Sequence, residues 1–126
     1  MRATTLLAAV LITAACASPS RAQDAAAGEL VFAKCKACHT ASEDKNKVGP
    51  SLMGVIGRTA GTHAGFKFSA GMMDAGEGGL IWDDAKRTEY LKNPKALVNG
   101  TKMAFAGLKE DADIANLIAY LKQFPK

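Results

Sequence analysis

Five consecutive residues, Cys35-Lys36-Ala37-Cys38-His39, constrain this chain more than any other stretch. If Phe32 to His39 is helical, Cys35, Cys38 and His39 stand at i, i+3 and i+4, on one face of the helix. Covalent haem attachment needs that layout: two thiols add to the vinyl groups along one edge of the macrocycle, and the imidazole reaches the iron from below. C-x-x-C-H reads as a c-type haem attachment site. Three other readings compete with it. A structural zinc site wants four Cys or His ligands, and outside the motif the exported part of the chain offers only His63. A thioredoxin-like dithiol belongs beside a βαβ pattern, which no run of β-branched residues supplies here. A disulfide that merely precedes a histidine is the third, and haem outweighs it.

With 126 residues, a formal net charge of +4 and three cysteines, the chain allows one domain and little more. Its first segment reads as an export signal. Arg2 gives a positive n-region, Leu6 to Ala15 a short apolar h-region, and Ser20-Arg21-Ala22 an A-x-A-like cleavage site. The h-region is too short to anchor the chain across a bilayer. Cleavage after Ala22 is expected, so that residues 1–22 are removed and residues 23–126 form a single domain. Loss of Arg2 and Arg21 takes the charge from +4 to +2 (4 − 2), which argues against a nucleic-acid partner. Thr13-Ala14-Ala15-Cys16 loosely matches a bacterial lipobox, with Thr13 where leucine is usual. A soluble periplasmic product is therefore expected, with lipid anchoring through Cys16 as the lesser alternative.

Asp24 is a candidate N-cap for a first helix in which Leu30, Val31, Cys35 and Cys38 follow a helical period. Gly28 inside it costs about 1 kcal/mol relative to alanine, which makes sense if another backbone crosses there. Thr40 to Val48 reads as loop, and Thr59 to Gly79 as one long Ω-type loop. A loop of that length needs something large to hold it, and a buried haem would do so. Asp83 caps a helix to about Lys92. Asn93-Pro94 then starts a short helix ending near Asn99-Gly100. Thr101 to Lys109 is a second loop. The last helix spans about Asp111 to Gln123, with Ile114, Leu117, Ile118 and Leu121 at i, i+3, i+4 and i+7. The architecture predicted from these elements is all-α with long loops.

Gly28 and Phe32, Gly49-Pro50, Gly57-Arg58, Trp82, Tyr90-Leu91-Lys92-Asn93-Pro94, Gly100-Thr101-Lys102-Met103 and Leu117-Ile118-Ala119-Tyr120-Leu121 form an ordered set. By that set the chain from Ala27 to Phe124 resembles the class I cytochromes c, near the mitochondrial and bacterial c2-like branch. The resemblance implies N- and C-terminal helices crossing at Gly28 and Tyr120, with a third helix and loops wrapping one haem c bound through Cys35 and Cys38. It assigns Met103 as the sixth iron ligand, opposite His39, and the Pro50 carbonyl as the group that fixes the His39 imidazole. It turns Arg58 and Trp82 toward a haem propionate and sets Tyr90 and Thr101 near the methionine side. The chain departs from the family pattern at Phe68, where many relatives carry a tyrosine whose hydroxyl reaches a propionate. Asn99 replaces a frequent proline, which would loosen the Met103 loop, and Leu97 replaces a common aromatic residue.

A soft thioether suits haem iron and raises its potential. Met53 reads as core, Met72 and Met73 as members of a flexible Gly-rich loop, and His63 as solvent-facing. Met103, between a Gly-Thr turn and Phe105, is the better-placed ligand. An iron with both axial positions filled by protein passes electrons without catalysis. The expected role is electron transfer by a monomer between redox proteins, such as a cytochrome bc1-type complex, a terminal oxidase or a periplasmic dehydrogenase, touching the membrane only through them. Lys34, Lys36, Lys47, Lys95 and Lys102 flank the haem-bearing segments as a basic rim for acidic partners. Two rivals stand beside this reading: a labile Met103 making the protein a peroxidase or small-ligand sensor, and a dedicated haem subunit of one dehydrogenase complex.

Overall fold

The computed structural model describes residues 23–126, so the expected export signal and Cys16 lie outside the described residues. Helix α1 (Ala25–Phe32) begins where Asp24 Oδ1 accepts the amides of Ala26 and Ala27 at 2.9 and 3.1 Å. Its buried face is Gly28, Val31 and Phe32. Leu30, read from the sequence as part of that stripe, is 78 % exposed. Two residues advance a helix by about 200°, so Leu30 falls on the side away from Gly28.

Helix α2 (Ala70–Glu77) corrects the reading of Thr59 to Gly79 as one loop. Ser69 Oγ accepts the Met72 amide at 3.1 Å and starts the helix. The glycines that suggested a loop serve close packing instead. A Cβ at Gly71 would collide with the carbonyl of Asn99, and one at Gly76 with the carbonyl of Ala60. Without side chains there, α2 lies directly on two passing backbones.

Helix α3 (Asp84–Lys92) is capped by Asp83, which accepts the Lys86 amide at 2.7 Å. Asn93 closes it and caps α4 (Pro94–Leu97), which has proline in its first turn and stops short of the expected Asn99-Gly100. Helix α5 (Asp111–Leu121) buries Ile114, Leu117, Ile118 and Leu121 and carries Asp111 and Asp113 in its first turn.

The core forms where α1 crosses α5. At Gly28 a Cβ would collide with the Asn116 carbonyl and lie 2.8 Å from Tyr120 Cβ, so the two helices touch backbone to backbone. The Phe32 and Tyr120 rings follow at 5.3 Å, and Tyr120 meets Phe124 at 5.1 Å. Two exposed ion pairs tie α3 to α5, Lys92 to Asp111 at 2.8 Å and Lys122 to Asp84 at 2.6 Å. Among the described residues there is no extended strand, only an isolated antiparallel bridge between Thr59 and Ile81. The fold is all-α with long loops. No helix among the described residues is long and apolar enough to cross a membrane.

Candidate haem site

Beyond α1 the chain proceeds through single turns rather than the unbroken helix to His39 that the spacing suggests. The amides of Cys35 and Cys38 donate to Phe32 and Cys35 carbonyls three residues back, at 2.7 and 3.1 Å. Those of Lys36 and His39 reach four residues back to the same two carbonyls, at 3.1 and 2.9 Å. These turns keep Cys35, Cys38 and His39 on one cavity. Burial pushes the Cys35 thiol up, against the pull of Lys34.

His39 Nδ1 lies 2.7 Å from the Pro50 carbonyl oxygen. A carbonyl only accepts, so Nδ1 carries the proton and Nε2 keeps its lone pair. Burial lowers the His39 pKa despite that bond, which keeps the ring neutral. Gly49 backs the imidazole: a Cβ there would stand 2.7 Å from Nδ1 and 2.8 Å from Nε2. Its amide donates to the Cys38 carbonyl at 2.8 Å and closes the Thr40 to Val48 loop beneath the motif.

Met103 is half-buried and lines the same cavity. Its amide donates to Thr101 Oγ1 at 3.4 Å, and that oxygen is 2.8 Å from the Tyr90 hydroxyl. Burial raises the Tyr90 pKa, so the phenol stays protonated. Met72 is buried and also lines the cavity, held by α2 rather than by a flexible loop. Met73 points away, 48 % exposed, and Met53 is half-buried outside the cavity rather than core. Phe68, without a hydroxyl, stands edge-on to Phe66 at 4.8 Å, and both line the cavity. The Asn99 carbonyl rests on Gly71, so the chain leading to Met103 is seated on α2.

Trp82 and Arg58 share one wall of the cavity because the Gly57 and Trp82 amides donate to Trp82 and Arg58 carbonyls at 2.7 and 2.9 Å. The Arg58 guanidinium is already engaged. Nη1 donates to the Met53 carbonyl at 3.3 Å and to His63 Nδ1 at 2.9 Å, and Nη2 donates to the Ser51 carbonyl at 3.2 Å. His63 is therefore not solvent-facing: it is 6 % exposed, between Arg58 and Asp44, with Nε2 2.9 Å from Asp44 Oδ1.

One charged cavity residue escaped the sequence reading. Arg87, on the polar-looking helix α3, is buried, and its Cζ lies 4.0 Å from the centroid of the Trp82 ring. It stands three and four residues before the buried Tyr90 and Leu91, so helical spacing was the available signal. Among the described residues its Nε and Nη2 are the buried side-chain nitrogens without a partner. The lining thus combines apolar side chains, two thiols, a neutral imidazole, a thioether and an unanswered cation. A flat apolar group with acidic edges and a central metal fits that set.

The sequence model of the family described as Cytochrome c matches residues 25–125. The chain belongs to the cytochrome c family. Cytochrome c2 iso-2 of Magnetospirillum fulvum is 56 % identical over 91 residues, which cover 72 % of this chain and 92 % of that one. Cytochrome c-550 of Nitrobacter winogradskyi is 48 % identical over 104 residues, 82 % of this chain and 93 % of the relative. The solved structure of cytochrome c2 from Rhodospirillum centenum superposes with a TM-score of 0.77 at 43 % identity, covering 82 % of this chain and 99 % of that one. This cytochrome c stands on the class I, c2-like branch, and one haem c is attached covalently through Cys35 and Cys38.

Proposed function

We propose that this cytochrome c is a soluble periplasmic carrier passing single electrons between other redox proteins, with His39 and Met103 as axial ligands. Its relatives bear the names cytochrome c2 and cytochrome c-550, which agrees with an electron shuttle carrying one haem. When bound, the haem supplies a one-electron couple between ferrous and ferric iron. The protein's own residues set the conditions for that couple. His39 gives its Nδ1 proton to Pro50 and offers Nε2 in a fixed orientation. Met103 offers a soft sulfur that favours the reduced state, on a loop held by Thr101 and Tyr90. With His39 and Met103 both holding its iron, the haem would have no place for a substrate, so the reading makes the protein a carrier and not an enzyme.

Lys34, Lys36, Lys47, Lys95 and Lys102 are exposed, and none forms an ion pair among the described residues. Their charge is free to meet acidic faces on a bc1-type complex, a terminal oxidase or a periplasmic dehydrogenase. Export after cleavage behind Ala22 would deliver residues 23–126 to that compartment as one domain.

The reading rests on one observation: both thiols, the neutral imidazole and Met103 line a single cavity. Its test is the absorption spectrum of protein from the periplasmic fraction, oxidised and then reduced, with an intact mass. A ferric iron–sulfur band, a haem-bearing mass and an N-terminus at Gln23 are expected. Carbon monoxide binding by the reduced protein at neutral pH would overturn the closed-iron reading and favour a ligand sensor.

A further inference from the structure

Arg87 is a buried charge with no counter-charge. It is 6 % exposed, its Nε and Nη2 have no hydrogen-bond partner, and no carboxylate among the described residues pairs with it. Its neighbours are aromatic or cationic: the Trp82 ring at 4.0 Å, the Tyr90 ring at 5.9 Å and the Arg58 guanidinium. Burial, aided by Arg58, holds its pKa down to about 9, yet the group is still charged at neutral pH. An unpaired cation in an apolar interior is among the costlier arrangements a protein can hold. Stacking on Trp82 offsets only part of that cost, about 2 kcal/mol when desolvated.

The missing partner is an anion inside the cavity that Arg87 lines. Arg58 has three of its five N–H donors committed, two on Nη1 to Met53 and His63 and one on Nη2 to Ser51, so it has less to offer that anion than Arg87. In Arg87 the two orphaned nitrogens are Nε and Nη2, one pair of donors in the rigid guanidinium fork, and such a fork matches the two oxygens of a carboxylate. The haem attached at Cys35 and Cys38 brings two propionate carboxylates into this cavity.

We propose that Arg87 binds a haem propionate through Nε and Nη2, while Arg58 braces the cavity wall through His63, Met53 and Ser51. The inference rests on the haem reading and refines it: the pocket holds its acidic edge with a cation from α3, stacked on Trp82.

The test uses exported, haem-bearing wild type, Arg87→Leu and Arg87→Lys. Haem content by pyridine haemochrome comes first; a wild type without it removes the haem reading itself. The informative readouts are redox-difference infrared bands of the propionates and the midpoint potential followed across pH. Arg87→Leu is expected to show protonated-carboxyl signal at neutral pH, and the pH at which the potential starts to fall should rise by about one unit or more. Arg87→Lys keeps the charge but not the fork and should shift less. Should Arg87→Leu fail to accumulate, a smaller shift of the same sign in Arg87→Lys supports the assignment. Haem-bearing variants with wild-type carboxylate bands and wild-type pH profile would overturn it.

Discussion

The Tyr90 hydroxyl and Thr101 Oγ1 lie 2.8 Å apart, which joins α3 to the loop carrying Met103. The same Thr101 oxygen accepts the Met103 amide. Thr101→Val keeps the shape and leaves the Tyr90 hydroxyl and the Met103 amide without their shared partner. Destabilisation of about 1–3 kcal/mol is expected. The ferric iron–sulfur band should disappear at lower denaturant than in wild type; an unchanged midpoint would show that the loop is held by other contacts.

Met103→Ala should remove the ferric iron–sulfur band and lower the reduction potential by on the order of 0.1 V. Met72→Ala should leave the band in place. The pair of variants is needed because Met72 is buried on the same cavity. Loss of the band in Met72→Ala alone would transfer the ligand role to α2.

Gly28→Ala puts a methyl group against the Asn116 carbonyl at the α1–α5 crossing. Alanine's helix preference recovers about 1 kcal/mol, and separating the helices costs more. A net loss of about 1–3 kcal/mol is expected in thermal unfolding. A stabilised variant would mean that the crossing relaxes without cost.

His63 supplies a pH dependence. Arg58 only donates, so His63 Nδ1 accepts from it and Nε2–H donates to Asp44, which is the neutral form. Burial first, then Arg58, lower the His63 pKa, with Asp44 opposing. The folded value therefore lies below the ordinary value of about 6.5. The stabilisation is complete above about pH 6.5 and is lost as pH falls through the lower folded value. Denaturant midpoints of wild type should drop more steeply from about pH 7.5 to 5 than those of His63→Gln. Parallel curves would exclude His63 as the source.

Lys34 and Lys102 are exposed at the mouth of the cavity. Replacing both by glutamate should slow electron transfer with an acidic partner about tenfold at low salt. The difference should shrink near 1 M salt, where screening acts within about 3 Å. A salt-independent deficit would point to damage at the haem instead of lost steering.

What could be read from the chain alone was chemistry and punctuation stated locally. The C-x-x-C-H spacing, the Asp24, Asp83 and Asn93 caps and the stripe of Ile114, Leu117, Ile118 and Leu121 depend only on near neighbours, and each appears in the fold. The misses depend on distant ones. Gly71 and Gly76 resemble loop residues until Asn99 and Ala60 are seen passing against them. His63 is buried by Asp44 and Arg58, which meet it only after folding. Arg87 is a polar residue in a polar helix, and its burial is decided by the Trp82 ring and the cavity behind it.

The lining of the cavity runs from Lys34 to Leu121 and takes in residues from α2, α3, α5 and every long connection between them. Each of those pieces puts at least one side chain on the cavity that would hold the porphyrin. An order of biogenesis is expected from this: thioether linkage before consolidation, while the chain is still loose enough to admit a rigid disc. A host lacking the ligation machinery should yield only a protease-sensitive polypeptide in which the crossed pair of terminal helices has little to close around.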